Sequence, residues 1–290
     1  MKQLKVYYAK LNNMGDLLNE YIIPMVTGCE VVHCEKVNQF SVMGIGSCGG
    51  AVWGGKEDGL AGKMKDAAKR TMCLTSSAPC AVWGTGFLKD FGDRKLSLLR
   101  PSVRFIAVRG AKSKAIVERS LGRSTDLVMC DGGILSAELM DRTPVRKHAV
   151  GLVPHYHEIE LFEKNGITAR FKELYPDGVV IDLRKPPLDV IREIGECDAI
   201  ISSSLHGCIV ADSFGIPNVR MRTSSIPGSG FKFDDYYSGF GLDVPALDVT
   251  SPQKLPTIEM VNERYVITPQ MVSRKKEEMA SCLKDFVSNL

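Results

Sequence analysis

Apolar residues fall into two patterns along this chain, short continuous runs and longer stretches with helical spacing, and the two alternate. Residues 4–9 are the first short run and predict a strand. Residues 17–26 place Leu17, Leu18, Tyr21, Ile22 and Met25 on one helical face, and Gly28 stops them. Strands are predicted at 30–33 and 39–43, the second running into Gly44-Ile-Gly46-Ser47-Cys48-Gly49-Gly50. Residues 58–69 are polar with alanine, lysine and methionine, and predict a short helix or flap. Ala81-Val-Trp83 predicts a strand turning at Gly84-Thr-Gly86. Residues 104–109 predict another, followed by a helix at 114–121 that ends at Gly122. Residues 126–130 predict a strand closed by an Asp131-Gly-Gly turn.

Met140-Asp-Arg-Thr-Pro-Val-Arg-Lys147 is charged, carries proline and has no periodicity, so the boundary between residues 1–143 and 144–290 is expected there. The alternation then restarts. Strands are predicted at 148–154, 179–183, 199–201 and 217–221, and helices at 159–165, 188–195 and 205–214. Residues 223–230 read as a Ser/Pro/Gly loop and 231–238 as an aromatic anchor around Lys232. Residues 268–290 predict a terminal helix that returns to the first domain. The fold class expected is α/β, two doubly wound domains facing a cleft.

The most chemically loaded stretch is Asp198-Ala-Ile-Ile-Ser-Ser-Ser-Leu-His-Gly-Cys-Ile-Val-Ala-Asp-Ser-Phe-Gly-Ile-Pro217. It reads as buried strand, serine turn and helix, with His206 in the first helical turn. The first amides of a helix have no internal partner and the dipole is positive there, so an anion is welcome. Ser203 and Ser204 can cap the helix or hold ligand oxygens. At that place an imidazole has its proton disfavoured by the dipole and favoured by a bound anion, which suits a proton donor. The spacing fits equally a capped helix with His206 packed behind it.

Other segments carry less. Asn12-Asn-Met-Gly15-Asp16 can cap a helix through Asn13 or Asp16, and Gly15 lets backbone approach a ligand. A plain capped helix fits it as well. Gly44-x-Gly46-x-x-Gly49 matches a dinucleotide fingerprint in letters, but the residues after it do not read as the required helix. It is taken as a glycine loop bringing Gly46 and Ser47 to a cleft. Arg109 ends a strand just before a helix, where ligands bind in open α/β sheets, and its planar fork suits carboxylate or phosphate. A structural salt bridge is the competing reading. Lys232 is a point charge suited to phosphate, with Arg220 or Arg222 as substitutes. Trp83 reads as core.

Composition narrows the function classes. The chain has 290 residues, 44% apolar and 24% charged, with net charge +3, which suits a soluble globular protein and argues against a nucleic-acid face. No run approaches the roughly 18 apolar residues of a membrane span. The N-terminus lacks the apolar core of a signal peptide, so a cytoplasmic place is expected. Nine widely spaced cysteines without Cys-x-x-Cys predict reduced, buried thiols and neither a disulfide frame nor a zinc site. His155 and His157 alternate without acidic partners, and no metal is expected.

Ser-Ser-Ser-Leu-His-Gly followed by Ala-Asp-Ser-Phe-Gly-Ile-Pro resembles the signature of the polysaccharide pyruvyl transferase family. Asn-x-x-Gly-Asp-Leu-Leu-Asn, Gly-Ile-Gly-Ser, Trp-Gly-Thr-Gly-Phe, Val-Arg-Gly-x-x-Ser and Gly-Leu-Val-Pro-His-Tyr are similar to further family segments. Lys-Phe-x-Asp-Tyr-Tyr-Ser is similar to the exopolysaccharide ketal-forming branch. The resemblance implies two Rossmann-like domains arranged as in GT-B glycosyltransferases. It implies transfer of pyruvate as a ketal from phosphoenolpyruvate, the co-substrate, to a sugar or lipid-linked saccharide. No other cofactor is expected, and peripheral membrane contact stays open. His206 and Arg109 are then the catalytic pair, and Ser203, Ser204, Gly207, Lys232 and Arg220 bind the donor. Asn12, Gly15, Asp16, Gly46, Ser47 and His155 line the cleft on the acceptor side. Many members have arginine just before Leu-His; Ser204 stands there in this chain, so another basic residue has to grip the donor. The competing functions are a nucleotide-sugar glycosyltransferase and an inactive carbohydrate-binding relative.

Overall fold

The computed structural model describes residues 2–56, 59–74, 76, 78–223 and 229–290. Among them are two separate five-stranded sheets. The first runs from edge to edge through Glu30–His33, Gln3–Tyr7, Val42–Met43, Cys80–Val82 and Val103–Phe105, all parallel. The second runs through Val179–Val180, His148–Val153, Cys197–Ser202, Asn218–Arg222 and Leu247–Asp248, again all parallel. Parallel sheets are covered on both faces, which explains the uninterrupted apolar runs of the central strands. Val42, Met43, Ala81, Val82, Ile200 and Ile201 are all buried. Parallel bridges from Gly46 to Thr85 and from Thr85 to Val108 carry the pairing beyond the first sheet's strand ends.

The sequence pattern places most elements within a few residues. Gly28, Gly122 and Gly166 each adopt left-handed φ at a helix end. The first helix begins earlier than expected, as Met14–Leu17 continuing into Asn19–Thr27, because Asn13 caps it by accepting the Gly15 amide. The strand expected at 39–43 shrinks to Val42–Met43, and the one at 104–109 breaks at Ile106. The flap at 58–69 is a full helix, Gly59–Leu74, with Asp58 outside the described residues. Most of the loop expected at 223–230 also lies outside them, as residues 224–228. The aromatic anchor is a helix, Ser229–Ser238. Ile167–Leu174, Leu247–Asp248 and Ile258–Arg264 escaped the pattern because each buries too few residues to show a period.

One apolar cluster joins material from both sheets, including Leu4, Val6, Ile45, Val153, Ile200 and Ile209. The last helix, Pro269–Ser288, packs into it through Met279 and Leu283, and the Trp83 indole donates to the Met279 carbonyl at 3.0 Å. Trp83 is core, as its pattern predicts. Seven of the nine cysteines are buried and all nine are free thiols. Among the described residues no helix is long and apolar enough to cross a membrane.

Candidate active site

Strand Cys197–Ser202 ends in the serine turn, and each serine takes a different task. Ser202 Oγ accepts the Ser204 amide at 3.0 Å and lies 3.0 Å from the Val153 carbonyl, which pins the turn to the neighbouring strand. Ser203 Oγ accepts the His155 amide at 2.9 Å and so holds the His155 loop. Ser203 is not on the cavity wall. Ser204 is the N-cap of helix Leu205–Ser213, with extended backbone and no capping bond from its side chain. Its hydroxyl faces a cavity of about 410 Å³. Among the described residues the amides of Leu205, His206 and Gly207 have no acceptor.

Gly207 is a packing residue. A Cβ there would lie 2.4 Å from Ser202 Oγ and 2.8 Å from Val153, so glycine lets the helix seat on the strand end. This corrects the expectation that Gly207 faces the donor.

His206 edges the cavity with its side chain 12% exposed, while its Nε2 is buried and without a partner. Nε2 points toward Asp131 Oδ1 at 3.9 Å. Asp131 is fully buried; Oδ1 accepts the Gly133 amide at 2.9 Å and Oδ2 has no partner. Burial, with the positive charges of Lys232 and Arg109, pushes the His206 pKa down to about 3. Burial pushes the Asp131 carboxyl up to about 7. The free protein therefore holds a neutral imidazole facing a carboxyl that is half protonated near neutrality.

Helix Met14–Leu17 closes over the ring through Gly15. A Cβ on Gly15 would fall 1.8 Å from His206 Nδ1. Gly15 thus makes room for the imidazole, where its sequence suggested room for a ligand. Its backbone is helical, so alanine is tolerated by the chain and rejected only by the ring. Gly15→Ala is expected to keep its melting temperature within a few degrees and to lose ligand-induced stabilisation, read by thermal shift. Unchanged ligand response in that variant removes the packed ring from the site.

The opposite wall carries Asn13, Asp16, Gly46, Ser47 and Cys48. Burial raises Asp16 to about 6, against the pull of the Asn13 amide at 3.0 Å and of Lys232. Gly46 has φ of 130°, a conformation that glycine alone takes comfortably. Asn12 is exposed and off the wall; its neighbour Asn13 is the lining residue. Asn19, the last residue of the Asn-x-x-Gly-Asp-Leu-Leu-Asn segment, ties the two loops together by donating to the Asp16 and Ile45 carbonyls and accepting the Ile45 amide.

Lys232 and the His155 loop complete the cavity. Burial and nearby Arg109 lower the Lys232 pKa, with Asp16 opposing. Among the described residues Lys232 forms no ion pair. His155 Nδ1 accepts the His157 amide at 3.4 Å, and burial and Lys232 lower its pKa to about 4, so neutral His155 carries its proton on Nε2. Tyr156, quoted in the sequence only within a family segment, and His157, weighed there only as a metal ligand, pack beside it.

Arg109 is corrected. It does not open on the cavity: it is 1% exposed, with Nε on Asp235 at 3.0 Å, Nη1 on Ser47 Oγ at 3.1 Å, and Nη2 on the Phe87 carbonyl. Gly86 gives its guanidinium room, since a Cβ there would lie 2.3 Å from Cζ. Arg109 supports Ser47 from behind. Arg220 is likewise off the wall, paired with Asp234 at 2.7 Å and resting on Phe233. Asp131 was read as a turn residue only. Its signal was an acid at a strand end before two glycines, of which Gly132 packs on Ile45 and Trp83.

The arrangement can hold an anion and move protons. An ammonium, a hydroxyl and the open helix start at Leu205 and His206 line one cavity, next to a neutral histidine and two carboxyls whose protons are held near neutral pH. Among the described residues no three His, Cys, Asp or Glu side chains converge as a metal site. A larger groove of about 630 Å³ lies elsewhere, between residues 104–106, 126–129 and the last helix.

Comparison with known proteins places this geometry. Uncharacterized protein L143 of Acanthamoeba polyphaga mimivirus is 24% identical over 301 residues, spanning 95% of this chain and 88% of that protein. Succinoglycan biosynthesis protein ExoV of Rhizobium meliloti (strain 1021) is 30% identical over 167 residues, spanning 55% of this chain and 46% of that protein. The profile of the family described as polysaccharide pyruvyl transferase matches residues 47–225. That span runs from the Ser47 wall through the serine turn and is more than half the chain, so this protein belongs to the polysaccharide pyruvyl transferase family.

Proposed function

We propose that this protein transfers a pyruvyl group from phosphoenolpyruvate to two hydroxyls of a sugar, in a polysaccharide or its lipid-linked precursor. The observation that carries the reading is the anion cradle beside His206: Lys232, which forms no ion pair among the described residues, the Ser204 hydroxyl and the open helix start at Leu205 and His206. These take the place of the arginine that other members carry before Leu-His.

The chemistry asks for little else. A proton added to the methylene carbon of the donor makes a methyl group and leaves cationic character at the adjacent carbon. One sugar hydroxyl attacks that carbon, phosphate departs with the bridging oxygen, and the second hydroxyl closes the ketal. Two hydroxyl protons are released; one balances the proton added to the methylene carbon and the other leaves on the phosphate. His206 is the acid in this reading. Its depressed pKa means that the anion has to bind before the ring holds a proton, and neighbouring Asp131 is placed to stabilise the imidazolium. Asp16, on the wall and near pKa 6, is the base that takes a hydroxyl proton. No redox partner or metal enters these steps, so phosphoenolpyruvate is the sole co-substrate. Residues 1–143 and 144–290 are read as two domains in a GT-B-like arrangement. Support comes from the two separate sheets, whose strand ends both feed the cavity wall.

The test is a thermal-shift comparison of phosphoenolpyruvate with uridine and guanosine diphosphates. A ligand at about a hundred times its dissociation constant stabilises by roughly 2.7 kcal/mol. Stabilisation by phosphoenolpyruvate alone is the expected result. A response to a nucleotide diphosphate and none to phosphoenolpyruvate replaces the reading with a glycosyltransferase. A response to saccharide alone replaces it with a binding protein.

A further inference from the structure

Helix Gly59–Leu74 takes no part in the cavity, and its exposure runs opposite to that of an ordinary surface helix. Its buried residues are Gly62 and Cys73, and Asp66 accepts the Gly55 amide at 2.6 Å, which fixes the side that faces the protein. At about 100° per residue these three positions share one narrow sector. The opposite sector holds Leu60, Met64 and Leu74, which are 75%, 65% and 63% exposed. Ala67 and Thr71 fill the stripe between them. Ala68, Ala61 and Met72, all exposed, widen it on one side as far as Lys65, and Lys63 and Arg70 border it on the other.

A surface helix normally turns its apolar stripe to the core and its charges to water. This one turns an apolar stripe to water between two basic borders. Such a helix is built to lie in the plane of an anionic bilayer, its apolar face in the acyl boundary and its lysines and arginine among the phosphates. At 16 residues it is about 24 Å long, enough for one continuous strip of contact.

We propose that Gly59–Leu74 docks this protein on an anionic lipid surface. Its place in the chain gives the contact a use. It follows the Gly49–Val52 turn, which leaves the cavity wall at Ser47 and Cys48, and Gly54 makes room for Asp66. The bilayer contact therefore belongs to the glycine-loop side of the cavity. If the reading of pyruvyl transfer is kept, a lipid-carried acceptor approaches from that side, but the docking itself does not depend on it.

The test is cosedimentation of the full chain with vesicles of phosphatidylcholine, alone or mixed with phosphatidylglycerol. Binding is expected to the mixed vesicles only, and to weaken as salt rises. Leu60→Glu combined with Met64→Glu is expected to abolish it with the melting temperature unchanged, since both side chains face water. Lys63→Ser with Arg70→Ser is expected to weaken it roughly tenfold or more. Equal binding by the wild type and the Leu60→Glu, Met64→Glu chain overturns the proposal, as does no binding to mixed vesicles. A dimer in solution that the same two changes break, without vesicle binding, assigns the face to a second copy and also overturns it. Transfer to a soluble saccharide is expected to be unaffected by all four changes, so docking and chemistry fail or stand separately.

Discussion

His206→Ala is expected to lower turnover by roughly 10²–10⁴-fold, about 3–5 kcal/mol of barrier, while the protein still folds. The ring sits between Gly15 and Asp131 at the cavity edge, and its removal leaves space that water from the cavity can enter. His206→Gln keeps hydrogen bonding and cannot deliver an acidic proton, so it should be nearly as inactive. Activity restored by glutamine makes His206 a positioning residue and moves the search to His155. Stability against pH gives a second readout. A histidine pKa depressed to about 3 contributes stability that is full above the ordinary value near 6.5 and lost as pH falls toward 3. His206→Ala should therefore gain on the wild type as pH is lowered from about 6.5. Asp131 has the opposite sign: its raised pKa favours the fold below about 4, and that contribution is lost as pH rises through about 7. A parallel pair of stability curves for wild type and His206→Ala would show that the ring is not buried as described.

Asp235→Ala should be the most destabilising single change among the polar residues behind the site. Asp235 is fully buried, pairs with Arg109, and accepts from the amide and hydroxyl of Ser113. Removing it strands a buried guanidinium and a hydroxyl, at a cost of about 3–5 kcal/mol. For a chain of this size the melting midpoint should fall by roughly ten degrees. Adding Arg109→Met removes the stranded charge and should recover part of the loss, which a double-mutant cycle measures. Arg109→Lys keeps a charge for Asp235 but cannot reach Ser47 and Phe87 together, so it should also weaken the cavity wall. A loss below about 1 kcal/mol for Asp235→Ala would mean that the pair is solvated.

The sequence disclosed what depends on local pattern. Parallel strands announce themselves as apolar runs, and helix ends as glycines, so the order of elements was readable. The serine turn and His206 were readable for the same reason, since strand, cap and helix lie together in the chain. Long-range pairings were not. Arg109 looked like a ligand fork because its strand-end position is visible and its partner, 126 residues later, is not. Asp131 looked like a turn because its meaning depends on facing His206 across 75 residues of chain, a relation no local spacing encodes. Gly15 was marked as a place where backbone approaches a ligand. What approaches is an imidazole from the other half of the chain.

The apolar cluster shared by both sheets limits how substrates come and go. Parting the halves like a book would bring Leu18, Ile45, Val153 and Ile209 into water together. Each such side chain costs about 1.5–3 kcal/mol to expose, so these four alone cost about 6–12 kcal/mol, comparable to the whole stability of a typical fold. Traffic through the cavity therefore has to be handled by small parts at its rim, the His155 loop, the Ser47 loop and the helix of Lys232, while the joint beneath them stays shut. A motion of that kind is a set of shutters over a fixed floor, and it leaves the packing of Gly15 on His206 undisturbed through each turnover.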